Sequence, residues 1–464
     1  MAASNPRSGR APAAEPAAAL RVSARWVLPV GGPPVADGAV LVGADGRIAA
    51  VGPEAAVPRP AGAAALALGD AALLPGLVDA HCHLELTALR GLVRDLPFPA
   101  WLQTVRALKR ALDPEALRAS TRWGVLEGFA AGITTFGDTG SGQQVAPALA
   151  ALGGRGVAYH EVYGPDPAQC AEVVAGLERA LDELAPCASD RVTVGLAPHA
   201  PYTVSEPLLA AVTAVAATRG LKTAMHVAES REERELVEEA RGPFADDLRA
   251  RGIRVDARGM TIVRWLERVG FLARRPLLIH CVTAGADDFR IARRLGATAV
   301  HCPWSNAVLG HGRADLRAMR GAGLAVGLGT DSVAAGGRLD LFAEARLAAT
   351  GVALAPREML RLMTADGAAA LGLADAGTLT PGAWGDLAAV DLSGPAFAAA
   401  RDVEEAVAWG ATASDVTLAA VAGRVVYDRG RFPGVALAAE RDGYARAAAA
   451  VSRAPAPGGM LARS

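Results

Sequence analysis

The feature of this 464-residue chain that most restricts its fold is a series of eight apolar, strand-like segments separated by helical stretches rich in Ala, Leu and Arg. In order they are LLPGLVDAHCH, GITTFGD, RGVAYHEV, RVTVGLAPHA, KTAMHVAE, PLLIHCV, TAVHCPW and VGLGTDS. Eight strand–helix repeats over roughly 250–300 residues are typical of a (β/α)8 barrel. A doubly wound open sheet is the alternative, but no GxGxxG follows a strand at the start of a helix. We therefore predict an α/β fold with a (β/α)8 TIM barrel over residues 72–374.

Short β-rich segments flank this region on both sides. RVSARWVL, GAVLVG and GRIAAVG lie within residues 20–71, and GTLTPGAWGDLAAVDL and VTLAAVAGRVVYDRGRF lie within residues 375–435. Gly and Pro clusters separate them, as between short strands. We predict that the two flanks combine into one small β-sandwich domain. Residues 1–19 are predicted to be a disordered Ala- and Pro-rich tail, and residues 436–464 a C-terminal helix and tail.

Charge and cysteine content exclude several classes of function. The 47 Lys and Arg residues nearly balance the 48 Asp and Glu residues, so the net charge is −1 and there is no basic stripe for nucleic acid. Five scattered cysteines do not form a disulfide framework and favour a reducing compartment. The N terminus lacks the apolar core of a signal peptide, and no segment predicts a membrane span. We expect a cytoplasmic protein that acts on a small molecule, without nucleic-acid or membrane partners.

The strand-like segments end in side chains that bind metals or transfer protons. These residues are His81, His83, Asp138, Glu161, His199, His226, Glu229, His280, His301 and Asp331. Six of the eight histidines of the chain are among them. Because active sites of (β/α)8 barrels form at the C-terminal ends of the strands, this placement indicates one site at the barrel mouth.

The clearest part of this pattern is the His81-Cys82-His83 segment. Alternate residues of a strand point the same way, so both imidazoles face the barrel mouth and Cys82 faces away. Two such imidazoles suit zinc or a similar ion, although a pair of hydrogen-bonded core histidines is the alternative. His226 would supply a third imidazole. Asp331 would supply either a carboxylate ligand or a base, unless it only caps a helix.

Two residues are candidates for proton transfer. Glu229, three residues after His226, would lie beside an ion without binding it, where it could take a proton from water and give it to a substrate. His280 would orient or deprotonate the attacking water. The alternatives are a helix cap for Glu229 and a hydrogen-bonded core histidine for His280.

Taken together, PGLVDAHCHLE, APHAPYTVS, HVAES, LIHCV, HCPWSN and LGTDS resemble the amidohydrolase superfamily, and most of all its chlorohydrolase and nucleoside-deaminase branch. The motifs follow the family's order over nearly the whole chain. The resemblance implies one divalent ion, preferably zinc with iron or manganese as alternatives, bound by His81, His83, His226 and Asp331. It implies catalytic roles for Glu229, His280 and Asp331, and a substrate contact for His199. It leaves the roles of His301, Ser305 and Asn306 open.

The lysines bear on the number of ions, because binuclear members of the superfamily use a carboxylated lysine on a barrel strand. The chain contains only Lys109 and Lys222. Lys222 begins the fifth strand, far from its C-terminal end, and Lys109 lies in a helical stretch. We therefore expect a single ion, which weighs against dihydroorotase- and urease-like chemistry and favours deamination.

The resemblance implies a hydrolase of carbon–nitrogen bonds other than peptide bonds, and more narrowly a deaminase of an aminopurine nucleoside. HCHLE, PFPAWL, YHEVYGP and HVAES resemble aminofutalosine deaminases of an alternative menaquinone route, so aminofutalosine is the expected substrate. The alternatives are S-adenosylhomocysteine, methylthioadenosine, guanine or a triazine, or another C–N or C–Cl bond. A non-catalytic binding protein with a relict barrel is a remote alternative.

Three further residues are candidate substrate contacts. They are Glu85, Glu161 and Trp304, of which Trp304 would stack on a base. Packing is an equally good explanation for each of them. A homodimer is common for such folds and is an open expectation here.

Overall fold

The computed structural model describes residues 19–399 and 401–453, and the chain begins there with five strands of one mixed sheet. These strands are β1 (Leu20–Val27), β2 (Val35–Val42), β3 (Ile48–Pro53), β4 (Ala64–Ala67) and β5 (Ala71–Pro75). Strand β1 pairs antiparallel with β2, and β2 pairs antiparallel with β3. On its other edge β1 pairs in parallel with β4 and β5. Residues 1–18 of the predicted tail lie outside the described residues.

Eight parallel strands follow and build the barrel. They are β6 (Leu77–Cys82), β7 (Ile133–Gly140), β8 (Arg155–Val162), β9 (Val192–Pro198), β10 (Lys222–Val227), β11 (Leu277–His280), β12 (Thr298–His301) and β13 (Val326–Leu328). Each strand pairs with the next one in sequence, and each overlaps one of the eight predicted segments. The predicted (β/α)8 architecture is confirmed.

Contacts between the first and the last strand close the barrel. The backbone N–H of Asp331 donates to the carbonyl of His81 over 2.9 Å. The buried carboxylate of Asp79 accepts the backbone N–H of Thr330 over 3.0 Å and its hydroxyl over 2.6 Å. These bonds hold the end of β13 beside the end of β6, so residues far apart in sequence meet at the barrel mouth.

Helices connect the barrel strands and follow the last of them. They are α1 (Phe98–Arg110), α2 (Pro114–Ala130), α3 (Gly142–Leu152), α4 (Cys170–Leu184), α5 (Glu206–Arg219), α6 (Arg231–Glu239), α7 (Pro243–Ala250), α8 (Ile262–Arg268), α9 (Ala286–Arg294), α10 (Pro303–Val308), α11 (Leu316–Gly321), α12 (Val333–Gly336), α13 (Leu341–Ala349), α14 (Pro356–Leu362), α15 (Ala365–Ala370), α16 (Val403–Glu405) and α17 (Leu437–Ser452). Several helices have an N-cap side chain that accepts a backbone N–H of the first turn. Asp113, Ser230 and Thr261 cap α2, α6 and α8 in this way. Within the described ranges, none of the helices combines the length and the apolar character that crossing a membrane requires.

After the barrel the chain returns to the first sheet. Its last strands are β14 (Leu387–Asp391), β15 (Val416–Val421) and β16 (Arg424–Asp428). Strand β14 pairs with β5, so both ends of the chain share one sheet, as predicted. A buried ion pair between Arg155 and Asp386, with Nε and Oδ2 2.5 Å apart, joins this small domain to the barrel.

The small sheet extends to Pro75, four residues beyond the predicted boundary at residue 71. The predicted segment LLPGLVDAHCH therefore contributes to two strands, because the chain leaves β5 and enters β6 at Gly76. The N–H of Gly76 donates to the carbonyl of Asp386 over 2.9 Å. A Cβ at Gly76 would lie 2.1 Å from Oγ1 of Thr134, so a larger residue would not fit this crossover.

The predicted C-terminal helix is α17, which packs against α2. The rings of Tyr444 and Trp123 stack with centroids 5.2 Å apart, and Arg122 pairs with Glu440. Residues 454–464 of the predicted tail lie outside the described residues.

Candidate active site

The four residues predicted to bind a metal converge at the C-terminal mouth of the barrel. Nε2 of His81 lies 3.3 Å from Oδ1 of Asp331, and Nε2 of His83 lies 3.4 Å from the same oxygen. Ring nitrogens of His81, His83 and His226 all lie within 4.8 Å of one another. Three imidazoles and one carboxylate thus face a common point, and we call these four residues the ligand cluster.

Neighbouring groups orient these imidazoles. Nδ1–H of His226 donates to the carbonyl of His199 over 3.0 Å, and Nδ1 of His81 lies 3.3 Å from the hydroxyl of Thr139. Both contacts leave Nε2 free to point into the cluster, as in many metal sites.

The protonation state of His81 suits a metal ligand. Its Nε2 is buried and has no hydrogen-bond partner among the described residues. Burial is the largest influence on its pKa and places it well below the ordinary value, so the ring is neutral at pH 7. A neutral imidazole with an unpaired nitrogen beside a carboxylate fits a divalent ion such as zinc.

Asp331 is held in a strained but ionised state. Its φ is 56°, a left-handed conformation that non-glycine residues seldom adopt outside functional sites. The Ser305 hydroxyl donates to its Oδ2, which turns Oδ1 toward the histidines. Although burial raises the pKa of Asp331, the adjacent His81 and then His280 and His83 hold it well below its usual value. Asp331 is therefore an ionised carboxylate that faces the histidines. Ser305, whose role the sequence left open, contacts this carboxylate through its hydroxyl.

Glu229 lies at the edge of the ligand cluster. Its Oε1 is 3.6 Å from Nε2 of His280 and 3.3 Å from Nε2 of His311, and the Tyr202 hydroxyl lies 3.5 Å from its Oε2. Burial raises the pKa of Glu229, but the neighbouring imidazoles of His280, His311 and His226 lower it to about 2. This carboxylate is ionised at rest and can accept a proton.

The start of α6 shows whether Glu229 is a helix cap, which was the alternative to a role in proton transfer. The cap of this helix is Ser230, whose side chain accepts the N–H of Glu233 over 3.1 Å. The Glu233 carboxylate in turn accepts the backbone N–H groups of Ala228 and Glu229 over 3.0 and 2.7 Å. The Glu229 side chain therefore does not cap the helix, and the Glu233 carboxylate holds the Glu229 backbone in place.

His280 has a defined tautomer. Its Nδ1 lies 2.9 Å from Oδ1 of Asn306, so Nδ1–H donates to the amide oxygen and Nε2 remains an acceptor. Burial lowers the pKa of His280, which keeps the ring neutral. A neutral imidazole that faces Glu229 and the ligand cluster can take a proton from water.

A narrow cleft opens beside the cluster. Helix α1 forms one wall through Phe98, Trp101, Leu102, Val105, Arg106 and Lys109. The predicted substrate contacts Glu85, Glu161 and His199 line the other side. Nε2 of His199 lies 3.9 Å from Oε1 of Glu161, and the Tyr163 hydroxyl donates to Oε2 of Glu161 over 2.6 Å. The mixed apolar and charged lining is typical of a small-molecule site.

Trp304 does not join this cleft. It lies in the first turn of α10 and is 42% exposed. Its backbone N–H is bound to the buried Glu344 carboxylate over 2.9 Å, which anchors the turn while the indole remains at the surface. The structure therefore does not support the predicted stacking of Trp304 on a substrate base.

The two lysines take different positions. Nζ of Lys222 donates to the carbonyls of Leu371 and Gly372, at the end of the barrel away from the site. Lys109 reaches the cleft, which its helical position did not predict, but its ammonium pairs with Glu85. Neither lysine is part of the ligand cluster.

Two other strand-end residues, Asp138 and His301, have different surroundings. Asp138 accepts the N–H of Leu84 over 2.6 Å and so shapes the turn after His83. His301 is buried, and its Nδ1 has no hydrogen-bond partner among the described residues. Sequence analysis missed His311, because it lies in a loop after α10 rather than at a strand end.

Comparison with known proteins supports these observations. The Amidohydrolase family profile matches residues 72–426. The chain is 36% identical over 398 residues to 5-methylthioadenosine/S-adenosylhomocysteine deaminase of Halobacterium salinarum, which covers 82% of this chain and 86% of the relative. A TM-score of 0.79 relates it to an adenosine deaminase from Xanthomonas campestris with bound zinc, at 25% identity and 93% and 98% coverage of the two chains. Helicobacter pylori aminofutalosine deaminase in complex with methylthio-coformycin gives a TM-score of 0.74 at 20% identity, covering 88% and 100%, which is a likeness of fold alone.

Proposed function

The chain belongs to the amidohydrolase family, and we propose that it is a metal-dependent hydrolytic deaminase of a 6-aminopurine ribonucleoside with a substituent at its 5′ position. The observation that carries this proposal is the ionised Glu229 carboxylate at the edge of the ligand cluster, between His280 and His311. Amidohydrolases act on carbon–nitrogen bonds other than peptide bonds, and a proton carrier in this place suits the release of ammonia.

The ligand cluster would hold one divalent ion. Its three imidazoles and one carboxylate suit zinc, with iron or manganese as alternatives. When bound, such an ion would lower the pKa of a water molecule and make it a nucleophile near pH 7. The position of Lys109 and Lys222 outside the cluster supports a single ion.

The residues of the chain would then move two protons. Glu229 takes one proton from the attacking water and passes it to the ring nitrogen beside the amino-bearing carbon. The water oxygen bonds to that carbon, and the C=N electron pair moves onto the protonated nitrogen. Asp331 and His280 accept the remaining hydroxyl proton and return it to the amino group. The C–N bond breaks, ammonia leaves, and a ring carbonyl remains.

The cleft supports a nucleoside with an extended 5′ group. The apolar wall of Phe98, Trp101 and Val105 suits a purine or a thioether. Arg106 also lines the cleft, where its guanidinium lies 5.5 Å from the centroid of the Tyr163 ring and pairs with no carboxylate of the described residues. This positive charge suits the carboxylate at the 5′ end of S-adenosylhomocysteine.

The name of the Halobacterium relative also supports methylthioadenosine and S-adenosylhomocysteine as substrates. Aminofutalosine, expected from the sequence motifs, is the second candidate. It shares the aminopurine ribonucleoside and also carries a 5′-terminal carboxylate, but its support among solved structures is a likeness of fold.

A panel of substrates tests the proposal. Ammonia release is measured with S-adenosylhomocysteine, methylthioadenosine, adenosine, aminofutalosine, guanine and a chlorotriazine. We expect the highest kcat/KM with S-adenosylhomocysteine. A higher value with aminofutalosine would change the substrate but keep the reaction. Turnover of guanine or the triazine alone, or a protein with neither metal nor turnover, would reject the proposed function.

A further inference from the structure

His311 is a buried histidine beside Glu229 that none of the roles above requires. It lies in the loop between α10 and α11, and its side chain is 2% exposed. Its Nε2 lies 3.3 Å from Oε1 of Glu229 and is otherwise without a hydrogen-bond partner in the described part of the chain. A buried ring nitrogen beside a buried carboxylate is costly unless the two groups interact.

Two contacts hold the His311 ring in this place. Its backbone N–H donates to the carbonyl of Asn306 over 2.9 Å. Its ring packs against Phe98 of α1 with centroids 4.5 Å apart and an interplanar angle of 87°. The ring therefore sits between the end of α10 and the wall of the cleft.

Asn306 forms hydrogen bonds with both His311 and His280. The side-chain oxygen of Asn306 binds Nδ1 of His280, and the backbone carbonyl of Asn306 binds the N–H of His311. One residue thus anchors both imidazoles that face Oε1 of Glu229. Oε1 of Glu229 thus lies within 3.6 Å of Nε2 of both rings.

We propose that His311 is a positioning residue, which donates Nε2–H to Oε1 of Glu229 and fixes the direction in which this carboxylate meets the substrate. The proposal rests on the proton-carrying role of Glu229 in the proposed function. The other carboxylate oxygen, Oε2, has only the Tyr202 hydroxyl at 3.5 Å and stays available to the substrate ring nitrogen. Without His311 the carboxylate could rotate about its last bond, and a small misplacement of a catalytic group costs much of the rate.

Two substitutions of His311 separate hydrogen bonding from packing. His311→Leu keeps an apolar contact with Phe98 but has no donor, and His311→Gln keeps a donor at a similar reach. We expect His311→Leu to lower kcat about 30-fold with KM within about 3-fold, and His311→Gln to recover kcat to within about 5-fold of the wild type. Arg313→Gln is the control for disturbance of the same loop, because the Arg313 side chain binds the Thr350 carbonyl.

A double-mutant cycle tests whether His311 acts through Glu229. In a Glu229→Gln background, His311→Leu should cause no further loss of the residual kcat. Equal losses in both backgrounds, or a His311→Gln variant as slow as His311→Leu, would overturn the positioning role and leave packing as the explanation.

A spectroscopic measurement tests the hydrogen bond between His311 and Glu229 without any substrate. In protein labelled with ¹⁵N-histidine, the His311 resonances are identified by their loss in His311→Gln. Glu229→Gln should shift the His311 Nε2 resonance, because the hydrogen-bond acceptor changes from a carboxylate to an amide. An unchanged resonance would overturn the proposal even for an active enzyme. A wild type without turnover on the nucleoside panel would instead reject the proposed function, while the resonance still reports on the contact.

Discussion

Nε2 of His81 and Oδ1 of Asp331 lie 3.3 Å apart, although His81 lies near the end of the first barrel strand and Asp331 follows the last. The hydrogen bond from the Asp331 N–H to the His81 carbonyl brings them together. Because an ion in the ligand cluster would be shared by both side chains, each of them should be needed for its retention.

We therefore predict that Asp331→Ala and His81→Ala reduce bound metal from about one ion per chain to less than about a tenth of that. Metal analysis by mass spectrometry of the purified proteins measures it. Asp256→Ala, at an exposed loop position, is the control and should keep the wild-type content. Two ions per wild-type chain, or full occupancy in either variant, would contradict this arrangement.

Glu229 should be required for turnover and not for metal binding. Glu229→Gln keeps the shape of the side chain but cannot carry the proton, so kcat should fall by about 10²- to 10⁴-fold. Metal content should equal that of the wild type. Glu239→Gln, at the exposed end of α6, is the matched control. A Glu229→Gln variant with near-normal kcat would rule out the proton-carrying role.

Arg106 should distinguish substrates by their 5′ group. A charge-assisted hydrogen bond contributes about 1.5–3 kcal/mol, so Arg106→Gln should lower kcat/KM for S-adenosylhomocysteine about 10- to 100-fold. Methylthioadenosine lacks the carboxylate and should change by less than about 3-fold. Arg110→Gln, on the exposed face of the same helix, is the control. A uniform loss with both substrates would show that Arg106 only supports the cleft.

His301 should make stability depend on pH. Burial, followed by the charges of His280 and Arg313, lowers its pKa to about 3, whereas an unfolded histidine titrates near 6.5. Between these values the unfolded chain binds a proton that the folded chain excludes, so stability falls as the pH drops below about 6.5.

Replacing His301 should remove this part of the pH dependence. From pH 7 to pH 5 the loss attributable to His301 is about 2 kcal/mol. Denaturant unfolding of the wild type and of His301→Gln at both pH values measures the difference, which does not depend on the overall stability of the variant. Equal pH dependence in both proteins would show that the buried ring is not held neutral.

Local sequence pattern was enough to predict the eight barrel strands and to place candidate ligands at their ends, whereas the set of four ligands was implied by the resemblance to the amidohydrolase superfamily. Apolar runs and side-chain alternation are properties of neighbouring residues, so His81 and His83 could be placed on one face of a strand without a structure. Barrel geometry then required that strand-end residues such as His226 and Asp331 meet. The crossover at Gly76 was missed, because its need for glycine comes from Thr134 on another strand.

The remainder of the site depended on tertiary structure. His311, Asn306 and Arg106 lie on loops or helices, where no strand periodicity indicates which side chains reach the barrel mouth. Trp304 shows the opposite error, since its aromatic ring suggested a substrate contact while the packing of α10 leaves it at the surface. Which groups touch Glu229 is decided by the closure of the barrel and the docking of these segments, because both are set by contacts between residues distant in sequence.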